Sequence, residues 1–253
     1  MVGTGSGNRL NVHQFTLAER NLKQMTIATS NSAMAQSLMP GKIRVVSWNL
    51  LRRVGAGVED VAKLVHSRRP DLLLLQEATE DIMELPSLVG GYFYRHPMQQ
   101  RIYGLACWSP HPFPTSTSIR LPASILPGRV PPRLAQIINF HDITIANVHL
   151  SHGQFLNRYQ LRHIMEQMEG PAAIIGDFNA VGPVGFHGFA DIGPRKRTHR
   201  AGNIVALRLD RCVARGIACA ASEVLDKGPS DHHPLVLDMK VAENRSSGSL
   251  IAF

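Results

Sequence analysis

From residue 42 onward, short apolar runs alternate with amphipathic stretches and turn residues. The runs at 43–47 and 72–75 are too short for helices and predict buried strands. Between them, small apolar side chains recur at helical spacing over 58–65, and Pro70 ends the predicted helix. The first half of the chain therefore begins with a strand, a helix and a second strand.

The second half continues this mixture of strands and helices. Two apolar runs at 134–140 and 143–150 flank His141-Asp142 and predict a hairpin. The pattern over 155–168 predicts a helix. Further strands are predicted at 103–108, 172–175, 204–213 and 234–241, and a loop with one short strand at 110–132. Hairpins combined with intervening helices favour a mixed α/β domain over a purely parallel doubly wound sheet.

The two ends of the chain differ from the middle. Residues 1–41 are rich in Gly, Ser, Asn and Gln and predict a flexible tail, with a short helix at 16–26 suggested by a capping box. This tail has no apolar core of the kind found in secretory signals. Residues 243–253 predict a C-terminal tail. We therefore expect one folded domain over 42–242.

Composition agrees with a globular domain, because 44% of the 253 residues are hydrophobic and 18% are charged. No apolar run approaches the roughly 20 residues of a membrane-spanning helix. Three scattered cysteines do not make a disulfide framework or a cysteine-type zinc site. We therefore expect a cytoplasmic protein in a reducing compartment.

The chain is basic, with 27 Lys and Arg against 19 Asp and Glu and a net charge of +8. A basic protein attracts polyanions, which include nucleic acid, anionic lipid head groups and phosphorylated metabolites. Many basic proteins have no such partner, so the charge favours a phosphate-containing substrate only slightly.

Several predicted strands begin or end beside a polar group that could bind a metal or a phosphate. These groups are Asn49, Glu77, His149, Asp177 with Asn179, Asp210, and Asp231 with His232. Each group alone is typical of an ordinary turn or a structural histidine, but strands of similar length would bring them to one edge. Their conjunction predicts a site.

Four carboxylates at one edge would repel each other, at a cost of roughly 4 kcal/mol per pair at about 4 Å. A divalent cation or a protonated histidine removes that cost. Because the available ligands are hard oxygens without cysteine, Mg²⁺ or Mn²⁺ is favoured over Zn²⁺. The histidines would then transfer protons near neutral pH.

Six short motifs follow one another along the chain. They are Ser47-Trp48-Asn49, Gln76-Glu77, Asn147-Val148-His149-Leu150, Gly176-Asp177-Phe178-Asn179, Arg208-Leu209-Asp210 and Ser230-Asp231-His232. Their order and spacing resemble those of the endonuclease/exonuclease/phosphatase superfamily, and the resemblance covers about 42–242. It implies the DNase I-like fold: a four-layer α/β/β/α sandwich of two mixed, mostly antiparallel sheets with outer helices. It does not specify a subfamily.

The resemblance also implies roles for these positions. Asn49, Glu77 and Asp231 correspond to ligands of Mg²⁺ or Mn²⁺, with Glu77 as the principal one. Asp177 corresponds to the aspartate that aligns or deprotonates the attacking water. Asn179 corresponds to the donor that steadies the phosphoryl transition state.

Two histidines complete the implied catalytic set. His149 corresponds to a histidine that contacts the phosphate and stabilises developing charge. His232 corresponds to the catalytic histidine, with Asp210 as its orienting carboxylate. A metal, an amide, two histidines and an orienting carboxylate supply what phosphoester cleavage by water needs.

A basic segment lies between Asn179 and Asp210 in the chain, so we expect it near the same edge. Its substrate-binding candidates are Arg195, Lys196, Arg197 and Arg200, and Arg129 and Arg133 would add to them. Such a segment could grip a phosphate backbone or an acidic head group, although charge runs are often merely solvated.

The sequence thus predicts a metal-dependent phosphodiesterase, with nucleic acid as the favoured substrate. A lipid or small-molecule phosphoesterase, of inositol-phosphate or sphingomyelinase type, is the first alternative, because substrate choice resides in loops. A non-catalytic polyanion binder is the second, and the intact set of catalytic-type residues argues against it.

Overall fold

The computed structural model describes residues 41–113, 116–124, 132–185, 187–201 and 205–242. The predicted helix at 16–26, the C-terminal tail at 243–253 and Arg129 lie outside the described residues. So does all of the predicted N-terminal tail except Gly41. The division into tail, domain and tail stays a prediction.

Fourteen strands and three α-helices form the described part of the chain. The strands are β1 (Lys42–Asn49), β2 (Leu72–Ala78), β3 (Tyr92–Pro97), β4 (Gly104–Ser109), β5 (Thr117–Arg120), β6 (Leu134–Phe140), β7 (Ile143–His149), β8 (Ala172–Asp177), β9 (Ala190–Asp191), β10 (His199–Ala201), β11 (Val205–Leu207), β12 (Asp210–Arg215), β13 (Ile217–Val224) and β14 (Leu235–Val241). The helices are α1 (Val58–Arg68), α2 (Leu85–Val89) and α3 (Gln154–Glu166), with 3₁₀ turns at Arg52–Val54 and Glu80–Glu84.

The strands form two six-stranded sheets and one two-stranded ribbon. The first sheet has the order β13-β14-β1-β2-β4-β3, the second has the order β5-β6-β7-β8-β12-β9, and β10 pairs with β11. Only two neighbouring pairs among these are parallel, β1 with β2 and β7 with β8. The sheets are therefore mixed and mostly antiparallel, as predicted.

The two sheets pack face to face through an apolar layer that includes Val45, Leu74, Ile145 and Ile175. Helices α1 and α2 cover the outer face of the first sheet, and α3 covers the outer face of the second. The alternation of side chains along each strand explains this arrangement, because each sheet has two apolar faces to bury. The four-layer α/β/β/α sandwich is confirmed.

The prediction of a single strand at 204–213 is wrong. The chain breaks there into β11 and β12, because the hydroxyl of Thr198 accepts hydrogen bonds from the backbone N–H groups of Leu209 and Asp210. Asp210 consequently begins a strand instead of ending one. Since β12 runs antiparallel to β8, Asp210 still lies opposite Asp177.

Four strands escaped the sequence analysis: β3, β9, β10 and β13. β3, β9 and β10 are short, and β13 is an edge strand with mostly exposed or half-buried side chains, so none shows a clear hydrophobic pattern. No described helix is long and apolar enough to cross a membrane.

Candidate active site

The carboxyl ends of β1, β2, β7 and β8 lie at the same edge of the sandwich. The two parallel pairings set this arrangement, with Asn49 beside Gln76 and His149 beside Asp177. Asn49 Nδ2 donates to Asp177 Oδ2 at 3.0 Å and so joins the two sheets. The predicted convergence of strand ends at one edge is present in the structure.

Glu77 reaches this edge through a local distortion of β2. The pairing with β4 gains one extra residue between Leu75 and Ala78, which is a β-bulge, and Glu77 has a φ of 54°. Such a conformation is costly for a residue other than glycine and is often found at functional sites. Burial raises the pKa of Glu77, while the nearby Arg52 lowers it in part.

Asp177 lies at the centre of the site and is almost fully buried. Gly176 precedes it with a φ of 138°, and a Cβ there would lie 2.2 Å from the carbonyl oxygen of Val148. Only glycine therefore lets β8 approach β7 so closely. Burial alone would raise the pKa of Asp177, but His232, His149 and two hydrogen bonds together hold it below its usual value.

Asn179 folds back onto Asp177. Its backbone N–H donates to Asp177 Oδ1 at 2.9 Å, and its side-chain amide donates to the carbonyl of Leu150 at 3.0 Å. The φ of Asn179 is 48°. A turn therefore brings the two residues together at the end of β8.

His232 and Asp210 form a buried pair. His232 Nδ1 lies 2.8 Å from Asp210 Oδ2, and its Nε2 lies 3.8 Å from Asp177 Oδ2. Burial would lower the pKa of His232, but the carboxylates of Asp210 and Asp177 outweigh it and raise the pKa to about 10. His232 is therefore an imidazolium at neutral pH.

His149 shows the opposite behaviour. Burial and then the charge of Arg133 lower its pKa to about 3, so the imidazole is neutral. Its Nε2 lies 3.5 Å from Asp177 Oδ2, and its Nδ1 lies 3.9 Å from Glu77 Oε1 without a hydrogen-bond partner. One site thus holds a charged and a neutral histidine at the same pH.

Asp231 lies on the other side of His232 and is only half-buried. Its Oδ1 lies 3.9 Å from His232 Nε2, and its Oδ2 lies 3.4 Å from His199 Nε2. The ring of His199 packs on that of His232 with centroids 4.5 Å apart. His199 therefore lies beside the site, and the sequence analysis did not name it as a site residue.

Thr198 was missed for a different reason, since a threonine in a basic segment carries no signal of its own. It is fully buried, and its carbonyl also accepts the backbone N–H of His233. Only the folded chain shows that this threonine ties the segment to both Asp210 and the His232 loop.

The carboxylate oxygens at this edge are ligands of the kind that a hard divalent cation prefers. Glu77 Oε2 is buried without a hydrogen-bond partner, although Arg52 Nε lies 3.1 Å away, and Asp231 Oδ1 is likewise unpartnered. Among the described residues, ligand atoms approach within 4.8 Å in two groups: Asp177, Asp210 and His232, and His199, Asp231 and His232. Neither is the predicted set of Asn49, Glu77 and Asp231, which stays a prediction.

The four candidate substrate-binding residues are all exposed on the segment beside this edge. Lys196 and Arg197 point to solvent, and the backbone N–H of Arg200 donates to the carbonyl of Asp231. Arg195 instead lies 3.5 Å from Asp191, which also accepts two short hydrogen bonds from Arg208. The segment therefore lies near the site, as predicted. Its contact with a substrate stays a prediction.

A two-sheet sandwich with buried carboxylates, amides and histidines at one edge defines a class of protein, the DNase I-like phosphoester hydrolases. The sequence model of the Endonuclease/Exonuclease/phosphatase family matches residues 46–232, and the chain belongs to that family. No curated protein matches the chain.

Solved structures of low sequence identity share the fold. An endonuclease/exonuclease/phosphatase from Beutenbergia cavernae is 19% identical with a TM-score of 0.63, covering 80% of this chain and 72% of its own. A humanized D. rerio TDP2 is 16% identical with a TM-score of 0.62, covering 79% and 99%. A mannosyl-6-phosphatase from Bacteroides thetaiotaomicron is 16% identical with a TM-score of 0.64, covering 78% and 99%. The fold therefore supports more than one kind of substrate.

Proposed function

We propose that the protein is a divalent-metal-dependent phosphodiesterase that cleaves nucleic acid by attack of water. The observation that carries the proposal is the joining of Asn49, Asp177, His232 and Asp210 across the two sheets. This arrangement combines an ionised carboxylate, an imidazolium and buried amide donors at one edge.

In this proposal Asn49, Glu77 and Asp231 hold Mg²⁺ or Mn²⁺, which when bound neutralises charge on the phosphoryl oxygens. Glu77 Oε2 and Asp231 Oδ1 support it, because neither accepts a hydrogen bond and a bound cation would satisfy both. Their contacts are ion-pair contacts alone, with Arg52 Nε at 3.1 Å and with His232 Nε2 at 3.9 Å.

The remaining roles follow from charge. Asp177, ionised at neutral pH, aligns the attacking water and accepts its proton. His232, held as an imidazolium by Asp210, donates to a phosphoryl oxygen or to the leaving group. His149, neutral and beside Asp177, contacts the phosphate, and Asn179 donates to the phosphoryl group.

Nicking of supercoiled plasmid DNA tests this function, with Mg²⁺, with Mn²⁺ and with EDTA. We expect nicking that needs the metal, is lost in Glu77→Ala and is kept in Glu59→Ala, an exposed glutamate on α1. If the folded protein releases phosphate or head group from inositol phosphates or sphingomyelin but does not nick DNA, the lipid alternative replaces the nuclease. Hydrolysis of neither would contradict the enzyme and favour a polyanion binder.

One feature favours the lipid or small-molecule alternative. Phe155 and Tyr159 on α3, six and ten residues after His149, expose 94% and 60% of their surface. Val181, four residues after Asp177, is also exposed. Apolar side chains beside basic ones suit a membrane surface.

The basic segment offers a second measurement for the nuclease. Replacing Arg195, Lys196, Arg197 and Arg200 with alanine should raise the Michaelis constant for DNA and flatten its salt dependence, because fewer counterions are released. The double change Lys63→Ala with Arg162→Ala removes exposed charges on α1 and α3 and serves as control. An unchanged Michaelis constant with an unchanged salt dependence would show that the segment is only solvated.

A further inference from the structure

Two histidines face each other across an isolated antiparallel bridge beside the catalytic edge. His199, the first residue of β10, pairs with His232 in this bridge. Its two backbone hydrogen bonds come from the flanking residues, from Arg200 N–H to the carbonyl of Asp231 and from His233 N–H to the carbonyl of Thr198. This pattern makes His199 and His232 a non-hydrogen-bonded pair, in which side chains lie closest together.

The backbone pairing brings three ligand atoms to one place. The ring centroids of His199 and His232 are 4.5 Å apart. Asp231 Oδ2 lies 3.4 Å from His199 Nε2, and Asp231 Oδ1 lies 3.9 Å from His232 Nε2. One ligand atom from each of the three residues lies within 4.8 Å of the other two. Two imidazole nitrogens and one carboxylate oxygen can therefore reach a common ion through small side-chain movements.

The surroundings of the three side chains suit a bound metal. His232 Nδ1 is held by Asp210 Oδ2 at 2.8 Å, while its Nε2 faces Asp231. A histidine that binds a metal usually has its other ring nitrogen held by a carboxylate in this way. Asp231 Oδ1 is a buried atom that accepts no hydrogen bond from the described residues. The Asp231 side chain is nevertheless 32% exposed, which leaves a path from solvent.

We infer that His199, Asp231 and His232 form a second metal site, which binds Zn²⁺. The set shares Asp231 with the proposed Mg²⁺ ligands but offers imidazole nitrogens in place of the oxygens of Asn49 and Glu77. Imidazole suits Zn²⁺, whereas carboxylate and carbonyl oxygens suit Mg²⁺ and Mn²⁺. A water molecule completes the four ligands that Zn²⁺ prefers.

Zn²⁺ at this site inhibits the enzyme. The ion takes the place of the proton on His232 Nε2, which is released to water, while Nδ1 stays bonded to Asp210. His232 can then no longer donate a proton to the phosphoryl group or to the leaving group. The inhibition rests on the proposed function of His232, whereas the binding of Zn²⁺ does not.

A packing role for His199 makes a different prediction. If its ring only covers His232, phenylalanine should replace it without any change in metal binding. If its Nε2 is a ligand, phenylalanine should keep the ring contact and remove the ligand. His199→Phe therefore separates the two roles. His199→Gln, which removes the ring as well, provides a second variant.

Isothermal titration of the full chain with Zn²⁺ measures the binding. His199→Phe and His199→Gln should each weaken the affinity by at least about 10- to 100-fold, because even an indirect partner of a metal site contributes that much. His66→Gln, at an exposed histidine on α1, and Cys219→Ser, at a half-buried thiol, are controls that should bind as the wild type does. Thermal unfolding without Zn²⁺ checks that each variant is folded.

Inhibition of the Mg²⁺-dependent reaction by Zn²⁺ provides the second readout. Each protein is compared with its own rate without Zn²⁺, so differences in basal turnover cancel. The wild type should lose turnover over the range of Zn²⁺ concentrations that fills the site in the titration. His199→Phe should need at least about tenfold more Zn²⁺ for the same loss.

Equal Zn²⁺ affinity in the wild type and His199→Phe would overturn the site. An equal loss of affinity in His66→Gln or Cys219→Ser would overturn it too, since the binding would not be specific. Binding that depends on His199 but leaves turnover unchanged would overturn the inhibition. The titration needs no turnover, so an inactive protein that still binds Zn²⁺ through His199 would contradict the proposed function alone.

Discussion

The interface between the two sheets is apolar at one end of the strands and polar at the other. Inward positions along β1 are Ile43, Val45, Ser47 and Asn49, and those along β7 are Ile143, Ile145, Asn147 and His149. The same two-residue alternation thus passes from apolar side chains to amides and hydroxyls, and then to candidate catalytic groups. Stability and chemistry share one interface.

The amides in the middle form a hydrogen-bonded layer. Gln76 Nε2 donates to Asn147 Oδ1 at 2.7 Å and to Ser47 Oγ at 3.1 Å, and Asn147 Nδ2 donates to Gln136 Oε1 at 2.9 Å. Neutral amides tolerate burial when their partners are supplied. This layer therefore separates the apolar core from the carboxylates beyond it.

The comparison shows that the apolar end of the interface serves stability and the polar end serves the chemistry of the site. The apolar end lowers the free energy of the fold by excluding water. The polar end keeps carboxylates and histidines buried with pKa values shifted in different directions, and leaves Glu77 Oε2 and His149 Nδ1 without hydrogen-bond partners. Changes at the first end should alter stability, and changes at the second should alter turnover.

The largest expected effect is on turnover, from His232→Ala. Loss of the imidazolium should reduce turnover by about 10²- to 10⁴-fold, the usual contribution of a positioned acid or base. The protein should still fold, but with a lower melting temperature, because Asp210 loses the imidazolium that pairs with its buried carboxylate. Steady-state rates and thermal unfolding measure the two quantities, and near-normal turnover would contradict the role of His232.

The matching change at the apolar end is Leu74→Ala. It should lower the free energy of unfolding by about 2–5 kcal/mol, because a fully buried side chain leaves a cavity. The folded fraction should keep near-normal turnover, as measured by urea unfolding and by rates corrected for that fraction. A rate loss comparable with that of His232→Ala would show that the two ends are not separable.

The amide layer should give an intermediate result in Asn147→Leu. The change removes the hydrogen bonds of Asn147 with Gln76 Nε2, Gln136 Oε1 and two backbone carbonyls, at about 1–3 kcal/mol of stability. Turnover should fall less than in His232→Ala, because no reacting group is removed. Unaltered stability in urea would mean that the layer adds nothing to the fold.

The smallest effect is expected far from the catalytic edge, at Asp238. Hydrogen bonding to Arg44 lowers its pKa, and Lys42 also lies 3.1 Å away. A depressed carboxyl pKa stabilises the fold above the unfolded value near 4, and this contribution is lost as the pH falls through the folded value. Asp238→Asn should therefore cost about 1 kcal/mol at pH 7.

Urea unfolding at pH 7 and at pH 3 measures this effect. The difference in stability between wild type and Asp238→Asn should narrow at the lower pH, while turnover at pH 7 stays unchanged. If the difference in stability between the two proteins is the same at both pH values, the ion pairs of Asp238 do not contribute to stability.

Much of this arrangement could be predicted from residue pattern. The apolar runs located most of the strands in the core, and the polar groups beside them marked the catalytic edge, because strand alternation and burial are local in sequence. The break at 204–213 and the edge strand β13 could not be predicted, because Thr198 and strand pairing decided them from a distance.

The sequence by itself determined a mixed α/β domain, through periodicity, and the residue types beside the strand ends. The layered sandwich was what the resemblance of its motifs to a known family implied. Only the tertiary structure decided the states of these residues. The bulge at Glu77, the pairing that charges His232 and the burial that keeps His149 neutral all depend on neighbours distant in the chain. Burial and charge act through space, so the chain order of these residues could not reveal them.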